Sequence, residues 1–353
     1  MKLNHIYKSI ACGVLLAMTA TSCDLDYNPV DTYSDVTEGV NKTDEKPIFN
    51  SVQDVETSMV TLHKKFRDQQ EHWYVDKLLI GDAHSDNAYA GTTGAEVVPY
   101  ETNSIEGSNS VLKRDWDRFL GDIAVANRII VGCDQLKALS ESERGKYQSQ
   151  AKIFRAMVMF DMVRLWGNFP VITTVGGDIT EDNVEEMYPT YFPPQNTAEE
   201  AYAQIEKDLT EAVENPNTPT NDTSDKSILT KSVARAMLAK VYAEKPLRDY
   251  AKVIKYADEL AADGFDLVED FSDLWAYDTE KKDCRVRNTK EAILEAHFPP
   301  GSGNWCTWMF GRNLSNWDES FTWAKWITPS RDLIRLYEEQ GDTKRYNESV
   351  VWY

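Results

Sequence analysis

The segment AKIFRAMVMFDMVRLWGNFPVI occupies residues 151–172. Its apolar residues fall on nearly every side of a 3.6-residue helix, so a helix here must be buried all round and not along one stripe. Just upstream, Ser140-Glu-Ser-Glu143 reads as a capping box, in which serine and glutamate each satisfy a free backbone N–H of the first turn. Gly167 and Pro170 end the pattern, because glycine tolerates the left-handed turn after a helix and proline cannot continue one. The segment therefore predicts a long central helix, covered by others.

Covering helices are legible on both sides. Val55, Met59, Leu62 and Phe66 form one apolar stripe behind Ser51 as N-cap. Trp116, Phe119, Leu120, Ile123 and Ile130 form a second. Thr197-Ala-Glu-Glu200 is another capping box, opening a helix with Tyr202, Ile205, Leu209 and Val213 on one face. The polar run 215–225 is a loop. From Thr230 to Asp263 two helices fit into 34 residues, broken at Lys245-Pro246. The first carries Val233, Met237 and Val241 beside Ala234, Leu238 and Tyr242. The second carries Tyr250, Val253, Ile254, Ala257, Leu260 and Ala261, expected to pack on it. This is the size and helix pattern of a tetratricopeptide unit. Residues 265–328 change character, with short strand candidates such as EAILEAHF at 291–298 and loops dense in aromatics. Helical patterning resumes after Pro329 with Leu333, Leu336 and Tyr337. The expected fold is mainly α, with tetratricopeptide-like helix pairs packed against a loop-rich region holding a few short strands.

The N-terminus has a different purpose. Lys2 and Lys8 supply positive charge ahead of the apolar stretch Ser9–Ala20, too short to span a bilayer comfortably but suited to a signal-peptide core. It ends in Ala20-Thr21-Ser22-Cys23, small residues before a cysteine, as in a bacterial lipobox. The expectation is a lipoprotein signal peptide over residues 1–22 and a lipidated Cys23. An acidic tether without helical period extends to residue 50, and a single domain follows over 51–353. Cys12 leaves with the signal, so Cys133, Cys284 and Cys306 remain, an odd number that excludes a disulfide scaffold. Three buried thiols are expected, with a Cys284–Cys306 bridge as the alternative. No C-x-x-C pair supports a zinc ribbon or a thioredoxin-type centre.

Composition limits function further. The chain has 353 residues, 58 acidic and 38 basic, for a formal charge of −20. Such a surface repels phosphates and argues against nucleic-acid binding. Asp82-Ala-His84 after an apolar run resembles the first metal-ligand motif of calcineurin-type phosphoesterases. That chemistry needs further histidines downstream, and only His297 follows, without an N-H-E or N-H-D element. H-E-x-x-H, G-x-S-x-G, P-loop and G-x-G-x-x-G motifs are absent from the sequence. Two suitably spaced carboxylates could make a glycosidase, yet nothing singles out a pair among 58 acids. The reading is a protein that is not an enzyme, with no catalytic residue, metal or cofactor.

The segment 151–172 also resembles the signature helix of the SusD/RagB family of nutrient-capturing outer-membrane lipoproteins. Phe154, Arg155, Ala156, Phe160, Leu165, Gly167 and Pro170 fit that family's pattern. Further matches follow in order at Trp116–Asn127, at Ile205–Leu209 with Ala212, at Thr230–Tyr242, at Asn288–Glu291 and at 327–346. The resemblance implies a surface-exposed, outer-membrane glycan-binding protein that delivers its ligand to a TonB-dependent (SusC-like) transporter. Peptide binding is the main variation in such a family, and a pure helical-repeat scaffold is the alternative outside it. Family members usually continue well past the segment matched by Asp342–Arg345, which implies a domain shortened at its C-terminus.

Sugars present apolar ring faces to flat aromatics and hydroxyl edges to Asn, Asp and Arg. Five of the ten tryptophans lie between Trp305 and Trp326. Trp305 and Trp308 sit in a Gly/Asn-rich loop with Asn304, Arg312 and Asn313, and they are the expected stacking and hydrogen-bonding residues. Trp317 is a further candidate. The loop from Asp86 to Tyr100 is the expected second contributor, through Asn87, Tyr89 and Tyr100.

Overall fold

A computed structural model describes residues 47–91, 94–177, 179, 183–244, 246–274, 276–278, 280–281, 283–298 and 327–350. Helix α1, Val52–Asp68, starts where Ser51 and Asp54 close a capping box, and it buries Val55, Met59, Leu62 and Phe66 as its periodicity predicts. Residues Glu71–Ala83 continue as π-helical turns around a short α-helical piece, Asp76–Leu78. Strand β1 is Ala88–Ala90 and the one-turn helix α2 is Val98–Glu101. Two 26-residue helices follow: α3, Ser110–Gln135, and α4, Glu141–Trp166.

Helix α4 is the predicted centre. Ser140 accepts from the Glu143 N–H at 3.2 Å, and Glu143 accepts from the Ser140 N–H at 2.9 Å. Gly167 ends the helix at φ 71°, backbone a side chain would strain. Phe154 and Phe160 are fully enclosed, while Met157 and Leu165 lie partly buried at the edge of the same core. Helix α3 packs along one side of α4 and α6, Ala198–Glu214, along another. Between them lies α5, Val184–Tyr191.

A polar network threads this apolar core. Arg155 on α4 is 4% exposed and forks onto Asp208 of α6, with Nε donating to Oδ2 at 2.8 Å and Nη2 to Oδ1 at 2.7 Å. Its third arm donates from Nη1 to Asn127 Oδ1 of α3 at 2.7 Å. Asn127 Nδ2 in turn donates to the Ile172 carbonyl at 2.9 Å and the Thr174 carbonyl at 3.2 Å. Three helices and the strap after α4 are thus pinned to one another, and the bidentate geometry fixes angle as well as distance.

Helices α7, Lys231–Ala243, and α8, Tyr250–Ala262, form the predicted antiparallel pair. Both rows of α7 are buried, against α6 on one side and α8 on the other. The expectation for α8 needs correction: Tyr256 is its buried residue, whereas Tyr250 and Ile254 are 58% and 61% exposed. Helix α8 leans on α7 through Tyr256, its ring stacked on Tyr242 at 6.1 Å, and of the expected residues Val253 packs partly onto the core. The segment 291–298 is also not a strand. The Ala292 N–H closes a turn onto the Thr289 carbonyl, the Glu295 N–H donates to the Lys226 carbonyl, and Ile293, Leu294 and Ala296 pack partly onto the core from a loop.

The described strands are short. β2, Tyr277–Asp278, pairs with β3, Asp283–Cys284, and β1 pairs antiparallel with β4, Ile327–Pro329. Cys284 is exposed, contrary to expectation; Cys133 is buried, and burial pushes its thiol up to about 12. Helices α9, Arg331–Gln340, and α10, Thr343–Ser349, close the described chain and bury none of their residues. Among the described residues no helix is long and apolar enough to cross a membrane.

Removing one partner from the Arg155 fork strands a buried charge, at a cost of about 3–5 kcal/mol. Asp208→Ala should therefore lower unfolding free energy by that amount in urea titrations. The double variant Arg155→Met, Asp208→Leu should recover most of the loss.

Candidate functional site

Strand pairing assembles the described part of the predicted site. Ala88, Tyr89 and Ala90 face Pro329, Thr328 and Ile327 in register. The Ser330 N–H donates to the Asn87 carbonyl at 2.9 Å, and Ser330 caps α9 by accepting from the Leu333 N–H at 3.0 Å. Tyr89 is 39% exposed, and its hydroxyl accepts from the Arg331 N–H at 3.3 Å. Ring and hydroxyl are thus held at the surface by the helix start. Asn87 is exposed, with its backbone N–H bonded to Ser85 Oγ at 3.2 Å.

The remaining candidates, Asn304, Trp305, Trp308, Arg312, Asn313 and Trp317, lie outside the described residues, as does Cys23. The described residues resume at Ile327, opposite Ala90, so Tyr89 lies next to the described end of the stretch that follows the tryptophan-bearing segment in sequence. Tyr100 does not contribute. It is fully buried in a small apolar cluster with Leu79, Val97 and Val111, and burial pushes its hydroxyl above the usual tyrosine range. Its position on α2 turns it inward under the loop.

Two hollows open on the described body. One of about 430 Å³ is lined by Glu96, Pro99, Ser104, Glu106, Asn109 and Ser110. Its walls combine carboxylates, hydroxyls and an amide with the apolar Ala95 and Pro99. Asn109 is already committed, capping α3 through its Oδ1 while Nδ2 donates to the Glu96 carbonyl at 3.1 Å. A second hollow of about 180 Å³ lies between α3, residues 172–176 and Thr190 of α5. Among the described residues no cluster of His, Cys, Asp or Glu could hold a metal ion. Asp82 and His84 end the π-helical stretch in a turn, where the Asp82 carbonyl accepts from Ser85 Oγ at 2.9 Å and the His84 ring meets Tyr100 edge-on.

Sequence reading missed two features here. Tyr188, Tyr191 and Phe192 on and beside α5 are exposed, and the run Met187–Phe192 could have signalled them. The other is a buried acid pair under the loop. Asp76 and Asp115 are both essentially solvent-free and close enough for the charge of one to act on the other, with Arg114 paired to Asp76. Burial first, and then the charge of Asp76, push the Asp115 carboxyl up to about 9. In the unfolded chain it ionises near 3.8. Between those values the folded protein holds one proton more than the unfolded chain, so this pair's contribution to stability falls as pH rises through that window. Asp115→Asn keeps the size of the side chain without the ionisable group. It should flatten the decline and raise stability at pH 8 by at least about 1 kcal/mol, read from urea unfolding at pH 5 and pH 8.

Comparison with known proteins follows the same outline. Residues 32–243 match the SusD-like family described as starch-binding and associating with the outer membrane. A SusD-like protein of Bacteroides ovatus is 25% identical over 309 residues, covering 84% of this chain and 50% of the relative, so the chain spans half the length of that relative. A SusD superfamily structure from Bacteroides vulgatus superposes with a TM-score of 0.56 at 16% identity, over 67% of this chain and 48% of that one. Surface glycan-binding protein A from Bacteroides thetaiotaomicron, solved with laminarihexaose, superposes with a TM-score of 0.53 at 16% identity, over 64% and 46% of the two chains. These structures share the helical fold, and the sequence match extends across the central helix and its covering helices. The chain belongs to the SusD-like family.

Proposed function

We propose that this protein is a cell-surface lipoprotein that captures neutral oligosaccharides or polysaccharide and hands them to a TonB-dependent outer-membrane transporter. The family match over residues 32–243 carries the reading. The surface position of Tyr89, next to the residues that follow the tryptophan-rich segment in sequence, supports it. So does the solved relative that holds laminarihexaose. In this reading residues 1–22 are the signal peptide, Cys23 carries lipid, residues 24–50 are the tether and the domain follows. Trp305 and Trp308 stack on sugar rings. Asn304, Arg312 and Asn313 bond hydroxyls, with Trp317, Asn87 and Tyr89 extending the same arc. The role is capture, without bond breaking.

A second reading is a protein-interaction scaffold. It is favoured by the exposed side of α8, where Tyr250 and Ile254 face solvent beside Leu247 of the preceding loop.

Glycan binding separates the two. Stacking plus a few neutral hydrogen bonds on an open surface gives affinity on the order of micromolar to millimolar. Calorimetry against soluble starch, laminarin and xylan oligosaccharides should find one that binds in this range. The Trp305→Ala, Trp308→Ala double variant should lose detectable binding with an unchanged circular dichroism spectrum. A wild-type protein that binds none of the panel counts against glycan capture and leaves the scaffold and a peptide ligand as the readings. Anchoring is tested separately. Wild-type protein should fractionate with membranes and into detergent, because several acyl chains anchor firmly where one does not. Cys23→Ala should be recovered unprocessed or soluble.

A further inference from the structure

Helix α5 buries none of its residues, yet it ends in the run Met187-Tyr-Pro-Thr-Tyr-Phe192. Tyr188 is 59% exposed, Tyr191 47% and Phe192 67%. Isolated exposed aromatics are ordinary, but three within five residues on one short helix are not. Proline at position 189 removes a helical N–H and disfavours helical backbone at Tyr188, so the helix needs support from outside. Tyr191 supplies it. Its hydroxyl donates to the Gly177 carbonyl at 2.7 Å, and its ring lies so close to Gly176 that a Cβ there would sit 3.0 Å from Cζ. Met187 rests on Gly177 from the same side.

The opposite side of α5 is thereby presented to solvent. Tyr188 and Phe192, one turn apart, lie nearly parallel, with ring centroids 4.8 Å apart and planes at 29°. An i,i+4 aromatic pair supports a helix by a few tenths of a kcal/mol, which accounts for their mutual contact but not for flat outer faces left in water. Glu185, three residues before Tyr188, shares the pair's face, and Glu186 stands in the same first turn. A ligand suited to this surface needs an apolar, ring-sized face, hydroxyl donors for the carboxylates and no negative charge. A neutral pyranose meets all three demands. A uronate or sulfated glycan fails the last, against Glu185 and Glu186 and a chain of formal charge −20.

We infer that the Tyr188–Phe192 pair is a second carbohydrate-stacking ledge, selective for neutral glycans and separate from the arc around Tyr89. This rests on the glycan-capture reading above. Two stacking points on one protein would raise retention on a polymer far more than affinity for a short sugar.

The test is affinity electrophoresis of the full chain in gels containing soluble starch, laminarin, xylan or polygalacturonate. It compares wild type, Tyr188→Ala with Phe192→Ala, and Tyr188→Leu with Phe192→Leu. The leucine pair keeps an apolar i,i+4 contact and removes the flat rings. Wild type should be retarded by at least one neutral polymer and not by polygalacturonate. Both double variants should bind that polymer roughly tenfold or more weakly, with the leucine variant's melting temperature unchanged. If wild type is retarded and the leucine variant matches it, the ledge is overturned and the parent reading stands. Retardation by polygalacturonate equal to that by the neutral polymers overturns the neutral assignment. If no polymer retards wild type, the parent reading fails and the ledge fails with it.

Discussion

The fork of Arg155 onto Asp208, with its third arm on Asn127, is the constraint around which this helical body is organised. A guanidinium 4% exposed inside an apolar core is costly unless its donors are met, and this one is met by groups from two neighbouring helices. Hydrophobic packing alone leaves helices free to slide by a turn at modest cost. A bidentate pair with fixed angles does not, so α3, α4 and α6 have one register. Asn127 carries the same constraint into the strap after α4, which leads to the glycines under Tyr191. The core network thereby sets the placement of a surface helix that has no buried residue of its own.

This gives a physical meaning to the short sequence segments that resemble the family. The pieces around Asn127, Arg155 and Asp208 are separated by dozens of residues, and each contributes one member of the same buried cluster. Gly167 has a similar explanation, since only its left-handed backbone ends α4 and lets the strap turn back over α3.

What was legible in the sequence was governed by local rules. Ser51, Ser140 and Thr197 cap helices as their spacing indicates, because a capping box is complete within four residues. The stripe Val55–Phe66 and the rows of α7 are buried because each has a neighbour within reach. The same periodicity misled at α8, where the apolar side of Tyr250 and Ile254 is real but turned away from α7. Amphipathicity tells that a helix has a face and not what covers it. EAILEAHF failed as a strand for a related reason: β-propensity without a partner edge leaves a loop. Of the candidate site, Tyr89 was legible as an aromatic in a polar loop. Tyr100, only eleven residues on, was not separable from it, because its inward orientation depends on α2 and on the apolar cluster with Leu79 and Val111. The Asp76–Asp115 pair was hidden for a similar reason. Two acids 39 positions apart look like ordinary surface charge until the π-helical stretch brings one against α3.

The pairing of β1 with β4 has a consequence for the order in which the molecule assembles. Ser330 Oγ bonds the Asp86 carbonyl across 244 positions of sequence, whereas α3 with α4 and α7 with α8 are neighbours along the chain. Closing so long a loop has an entropic cost that near-neighbour helix pairing avoids. The helical body can therefore form while the ribbon beside Tyr89 is still open, and only the arrival of the last helices completes it. Three residue pairs, the Ser330 cap and bonds to Asp86, Asn87 and Tyr89 then hold the ribbon, with few buried apolar contacts beside them, so it should open locally while the Arg155 core remains shut. The surface proposed for ligand capture thus closes late and can open without the core.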